Sequence, residues 1–532
     1  MADRTARPLI LIRGFGGPDV TDEQRSPYQG FNDGTAYPGK RGENYLYEGF
    51  ILRALKSERY PYNDATNVIG YYDTGPVTAG DAGADPGTIV IDPAVEQRVL
   101  RAGVAGTIWV YRYYDLSPRA LSRYGEGLTT LIELIKQAAE RHEEQFDGVD
   151  VMAHSMGGLV VREALRQFHE TEPGSAQRFI HRIVTLGTPH RGIAFQRIPR
   201  WMLERLPLVE KSQDEFSAFD PSSVAFRQVG TWFPIERILT VVGTNYRSYG
   251  TSAASALNRL SSLLDDGTLV TNRSDGLVKQ SAAQLPGAPR TFIHKCHGGT
   301  DSLVTSREAY EIAMRFFHGS HRVRLWLDKA EILRGKDWFG RSEFYFGVSI
   351  KPRHLDFDLF HQSAEAENCY GPFRDQHLRD DLPDLRTELA KPLAESGDNT
   401  TGWAGSDRLI WEGWLDVGAK PDGADTSMVF RLDLYVGERD TIGIGFSDDV
   451  IFRKQYFVQA VPGDELEIFI HTGQEHLGPA QPKSLEQLKE LAGDGAAAAV
   501  QRARREDHGQ WTFDVAGTGF TGRLRVAIEE AA

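Results

Sequence analysis

The side chains best suited to covalent chemistry stand around Ser155, in the run Val149-Asp150-Val151-Met152-Ala153-His154-Ser155-Met156-Gly157-Gly158-Leu159. An apolar run suited to a strand leads into a sharp turn with serine at its apex, and a helical pattern follows. Such a turn strains the serine backbone, so its neighbours must be small. Ala153 and Gly157 stand two residues to either side. The helix aims its N-terminal amides at the apex, where partial positive charge favours a developing oxyanion. The chemistry implied is nucleophilic attack on an acyl carbonyl. A serine hydroxyl needs a base for this, and the base needs an acid to orient it. His294 and His297, in Thr291-Phe292-Ile293-His294-Lys295-Cys296-His297-Gly298-Gly299, are the two candidate bases. Candidate acids are Asp275 in Ser274-Asp275-Gly276, Asp265 and Asp266 in a separate turn, and Asp301.

These residues must be carried by strands alternating with helices. Compact apolar runs at 8–12, 107–111, 149–152, 179–186, 238–242 and 289–294 read as buried strands. Leu128, Leu131, Ile132, Ile135 and Ala139 repeat at helical spacing, and helices are expected at 159–168 and 305–317. Thr305 and Glu308 have the spacing of a capping box. This alternation predicts an α/β architecture, with a mostly parallel sheet and helices on both faces. Two long stretches interrupt it. Residues 18–105 are rich in Gly, Asp and Tyr, with one helix expected at 45–55. Residues 192–234 form a lid-like insertion bearing Trp201, Met202, Leu203, Leu206 and Trp232.

The segment around Ser155 resembles the nucleophile elbow of bacterial lipases and esterases of the AHSMG type, within the α/β-hydrolase superfamily. A second run, Val184-Thr185-Leu186-Gly187-Thr188-Pro189-His190-Arg191-Gly192, resembles the turn that follows the next strand in those enzymes. The resemblance covers about residues 8–318. It implies Ser155 as nucleophile, Asp275 as acid and His297 as base, with His294 the alternative. The oxyanion hole would be the backbone amides of Phe15 and Met156. By the same resemblance His190 is a structural turn residue and His154 packs in the elbow. Two departures stand out: Ala153 replaces the usual Gly, and Arg13 replaces the His that commonly precedes the oxyanion turn Gly14-Phe15-Gly16-Gly17. The expected activity is hydrolysis of carboxylic esters through an acyl-enzyme, with a small-molecule or lipid ester as substrate. A phospholipase, a lipid-linked deacylase, an acyltransferase and a non-catalytic hydrolase-like binding protein share these motifs. No cofactor and no metal is expected.

Beyond about residue 319 the pattern changes to short runs of period two, which predicts an antiparallel β-sandwich. The domains are therefore read as 1–319 and 320–532. One helix is expected at 484–505. The segment Asp337-Trp338-Phe339-Gly340-Arg341-Ser342-Glu343 partly resembles the first calcium loop of C2 domains, but a metal-free sandwich is the preferred reading. The formal charge of -14 argues against nucleic acid as a partner. No apolar run approaches the length of a membrane span, which leaves only transient contact with a lipid surface. The two cysteines, Cys296 and Cys369, build no disulfide framework. The N-terminal run is too short for a signal-peptide core, so a cytoplasmic protein is expected.

Overall fold

The computed structural model describes residues 6–14, 50–71, 88–91, 97, 99, 101–113, 121–192, 224–226, 228–246, 273–298, 301–332, 342–363, 366–368, 370–373, 409–416, 427–440, 449–472, 485–506 and 509–531. The chain falls into two compact units. The first comprises Met1–Thr291 with Lys295–Ala313, and the second Phe292–His294 with Met314–Ala532.

The strands of the first sheet, all within the first unit except the last two residues of β8, are β1 (Leu9–Ile12), β2 (Asp64–Tyr71), β3 (Thr88–Ile91), β4 (Thr107–Tyr113), β5 (Val149–His154), β6 (Ile180–Leu186), β7 (Ile238–Gly243) and β8 (Arg290–Ile293). They form one sheet in the order β3-β2-β4-β1-β5-β6-β7-β8. Seven strands are parallel, and β3 pairs antiparallel with β2 at the edge. The helices used below are α1 (Ile51–Leu55), α2 (Leu121–Arg141), α3 (Gly157–Thr171) and α4 (Arg307–His318).

The apolar runs are continuous because both faces of the sheet are covered. Ile10, Ile12, Trp109, Tyr111, Val151 and Ala153 join one core with the buried stripes of α2 and α3. The alternate residues Leu9, Leu11, Ile108, Val110 and Met152 point the other way and are just as sealed. On α2, Leu128, Leu131, Ile132, Ile135 and Ala139 form the stripe that their spacing predicts. Phe50, at the N-cap of α1, meets Tyr310 of α4, their rings crossing edge to face at 5.1 Å. Arg59 adds an ion pair to Glu311 at 3.2 Å.

Several boundaries differ from expectation. Strands β2 and β3 lie inside the stretch 18–105, where the residue pattern predicts one helix and no strand. The cap of α4 is Ser306, whose Oγ accepts the Ala309 amide at 3.0 Å. Thr305 instead accepts the Ser302 amide with its hydroxyl. Helix α1 is described only over Ile51–Leu55.

The second unit is β-rich, as expected. Its strands are β9 (His321–Ile332), β10 (Ser342–Pro352), β11 (Phe360–His361), β12 (Tyr370–Phe373), β13 (Leu409–Leu415), β14 (Met428–Asp440), β15 (Asp449–Val461), β16 (Glu467–His471), β17 (Ala492–Gly493), β18 (Val500–Arg502), β19 (Arg504–Glu506), β20 (Gln510–Gly517) and β21 (Phe520–Glu530). One sheet runs β11-β10-β14-β15-β16-β18-β17, with β12 also on β10, and the other runs β13-β9-β21-β20-β19. Phe430, Leu432, Leu434 and Val436 turn inward on β14, while Arg431, Asp433 and Tyr435 between them are half-buried. The sheets meet through aromatic contacts: Phe520 of β21 lies 5.5 Å from Phe346 and 4.9 Å from Phe452, centroid to centroid. The helix expected over 484–505 is confined to Leu485–Leu491. The rest becomes β17–β19 with a turn through the alanine run, because alanines without a longer apolar stripe cannot anchor a helix to the sheet. Residues 337–341 of the calcium-like loop lie outside the described residues. Among the described residues no group of three or more His, Cys, Asp or Glu is placed to hold a metal ion.

Candidate active site

Ser155 stands between β5 and α3 at the C-terminal edge of the parallel sheet. Its φ of 53° is in the left-handed region, which costs an L-residue roughly 1–2 kcal/mol. The surroundings hold it there. The Ser155 amide donates to the Leu186 carbonyl of the adjacent strand at 2.9 Å. Gly157 lets α3 start directly against β1, since a Cβ there would press into the Arg13 and Ile12 carbonyls.

The structure brings Ser155, His297 and Asp275 together although they are far apart in sequence. His297 Nε2 lies 2.9 Å from Ser155 Oγ, and His297 Nδ1 lies 2.8 Å from Asp275 Oδ2. All three are buried. A carboxylate only accepts, so Nδ1 carries the imidazole hydrogen and Nε2 is left to take the serine proton. The second Asp275 oxygen accepts the amides of Leu277 at 3.0 Å and Val278 at 2.8 Å. The carboxylate is thereby fixed by its own turn before it meets the imidazole.

Of the alternatives, His294 is exposed at the end of β8. Asp301 is spent on an ion pair with Lys295 at 2.7 Å. Asp265 and Asp266 lie outside the described residues. His190 is buried in a different network: Nε2 meets Thr185 Oγ1 at 2.9 Å, and Nδ1 faces Arg162 Nη1 at 3.3 Å. Burial, and then the Arg162 charge, hold its pKa well below the ordinary histidine value. His154 is pushed down in the same way by burial and then by His297. Cys296 is buried and free of any disulfide, and burial raises its pKa to about 11. Cys369 lies outside the described residues.

Met156 leads into α3, and among the described residues its amide donates no hydrogen bond. That leaves an N–H at the positive end of a 15-residue helix, beside the serine. Phe15, the second donor expected, lies outside the described residues, as do Trp201, Met202, Leu203 and Leu206 of the lid-like insertion. Trp232, from the end of that stretch, is buried in the core. The Arg13 departure has a structural explanation. Its buried guanidinium donates to the Tyr113 carbonyl and lies 5.6 Å from the Tyr113 ring centroid. The Tyr113 hydroxyl in turn reaches the Arg13 and Gly14 carbonyls at 3.0 and 2.9 Å. Tyr113 was not singled out from sequence; its only signal is a polar-tipped aromatic at the end of a buried strand.

The parallel sheet with its flanking helices gives the first unit an α/β-hydrolase-like fold. Residues 112–198, which hold the elbow and the Gly-Thr-Pro-His turn, match the family described as PGAP1-like alpha/beta domain. No curated protein matches the chain. Among solved structures it is similar to phospholipase PlaB from Legionella pneumophila, at 10% identity and a TM-score of 0.29, over 68% of this chain and 85% of that one. A protein from Lactobacillus plantarum WCFS1, titled only provisionally as a cell surface hydrolase, gives 12% identity and a TM-score of 0.27 over 59% and 90%. No helix among the described residues is long and apolar enough to cross a membrane.

Proposed function

We propose that the chain hydrolyses carboxylic esters, as a lipase or esterase, through a Ser155–His297–Asp275 triad and an acyl-enzyme. The observation that carries this reading is the unbroken pair of hydrogen bonds, 2.9 Å and 2.8 Å, from the Ser155 hydroxyl through His297 to Asp275. Ser155 Oγ attacks the acyl carbonyl as its proton passes to His297 Nε2. Asp275 holds the imidazolium. The oxyanion is received by the Met156 amide and, by family resemblance, the Phe15 amide. His297 returns the proton to the departing alcohol, and water then repeats the sequence to free the acid. A panel of p-nitrophenyl esters and phospholipid vesicles, run with wild type and Ser155→Ala, tests the reading. Turnover lost in a folded Ser155→Ala protein supports it; retained turnover overturns it. The same panel separates neutral esters from phospholipids, and added alcohol reveals transfer in place of hydrolysis.

A further inference from the structure

The three segments of the candidate site are joined by more than the triad side chains. His297 is held at its backbone as well as at its ring. Its amide donates to the Asp275 carbonyl at 2.8 Å. Its carbonyl meets His154 Nε2 at 2.9 Å. Each side-chain link of the triad is thus doubled by a second bond between the same two segments: nucleophile turn to base loop, and base loop to acid turn.

We propose that His154 is a positioning residue for the base, holding the His297 loop onto the nucleophile turn through its Nε2–H; this rests on the triad reading above. A carbonyl only accepts, so Nε2 must carry the hydrogen, and the neutral ring carries it only there. The ring is 3% exposed and lies 4.7 Å from the His297 ring, centroid to centroid. Burial beside a second imidazole keeps it neutral, so the donor stays in place while His297 gains and loses its proton. Among the described residues His154 Nδ1 has no hydrogen-bond partner. Space filling alone would be met at lower cost by an apolar ring, since a buried unpaired nitrogen is unfavourable. Retaining imidazole at this position is explained by the one bond it does make.

Without that bond the His297 carbonyl loses its link to the nucleophile turn, while the loop keeps its Asp275 bond and the bonds of Lys295 and Cys296 to Asn245, Asp301 and Leu303. The Nε2-to-Oγ distance then loosens, and a misplacement on the order of 1 Å costs about a hundredfold in rate. The test compares His154→Phe, which keeps a ring without the donor, with His154→Gln, whose amide restores an N–H of similar reach. Expected for His154→Phe is a fall in kcat of about 10- to 100-fold with KM nearly unchanged, and an equal fall in the rate of Ser155 labelling by a fluorophosphonate. His154→Gln should recover most of both. Circular dichroism and thermal unfolding identify a variant that has not folded, in which case His154→Asn and His154→Leu replace the pair. If wild type neither turns over esters nor labels, the triad reading itself fails. If wild type does both and His154→Phe matches it, or Gln does no better than Phe, the positioning role is refuted.

Discussion

Gly187 offers a sharp test of how tightly the site is built. It follows directly on β6, with φ at 56°. A Cβ on this residue would lie 2.7 Å from Asp275 Oδ2, 2.9 Å from Leu303 Cδ1 and 3.1 Å from His297 Nδ1. Ordinary contact begins near 3.4 Å, so the carboxylate would have to retreat by about 0.7 Å. That stretches a 2.8 Å hydrogen bond out of useful range. Gly187→Ala should therefore cost about 1–2 kcal/mol for the backbone conformation. Crowding of the Asp–His pair should add roughly 1–3 kcal/mol. The loss of activity should be out of proportion to this, about a hundredfold in kcat, because the imidazole loses its orienting partner. The measurement is kcat and KM on the best p-nitrophenyl ester, at a temperature where circular dichroism shows the variant folded, beside a urea titration. A folded Gly187→Ala protein with kcat within about threefold of wild type would falsify the packing account, because misoriented bases do not work at near-native rates.

Asp275→Asn keeps an oxygen for the Leu277 and Val278 amides but stops holding the Nδ1 tautomer; kcat should drop about 10³- to 10⁴-fold with stability little changed, and a drop under about tenfold would dismiss Asp275 as the acid. Stability should also fall on acidification. Folded His154 and His190 have depressed pKa values, so below about pH 6.5 the unfolded chain binds protons that the folded chain refuses, each site steepening the loss by up to about 1.4 kcal/mol per pH unit until its own folded pKa is reached. Urea titrations from pH 7.5 to 5 should show a shallower slope for His190→Gln than for wild type, and equal slopes would refute the assignment of His190 as a buried neutral imidazole.

The sequence made the parallel core and the candidate triad legible because both rest on local patterns. Runs such as Leu9–Ile12 are apolar at every position, as a strand buried on both faces requires. The triad segments carry strong turn signals around Ser155 and Asp275. Strand β2 was not legible for the opposite reason. Asp64–Tyr71 begins Asp-Ala-Thr-Asn and carries a glycine, so nothing in its own composition demands burial. It becomes a strand because β4 offers it a parallel edge. Strand β15 has the same character: Arg453, Lys454 and Gln455 interrupt its alternation, and its pairing with β14 and β16 decides the matter. The backbone bonds that link His154, His297 and Asp275 have no sequence signature at all, since a backbone carbonyl leaves no trace in residue type.

The two departures from the lipase pattern test what such a site requires. An alanine is tolerated at position 153 because Ala153 is still strand, paired with Ile12 on one side and Thr185 on the other. Ser155 has positive φ and Ala153 does not. A methyl group there meets no backbone penalty, and the left-handed strain falls on Ser155 two residues later. Arg13 shows the same separation of role from residue type. A histidine at that position would have a short reach, whereas the guanidinium extends to the Tyr113 carbonyl, and the Tyr113 hydroxyl returns to the Arg13 and Gly14 carbonyls. What is preserved is a fixed chain path leaving β1 beside Ser155. Side-chain identity at 13 can change if a neighbour on β4 supplies the complementary donor, and residue 113 does.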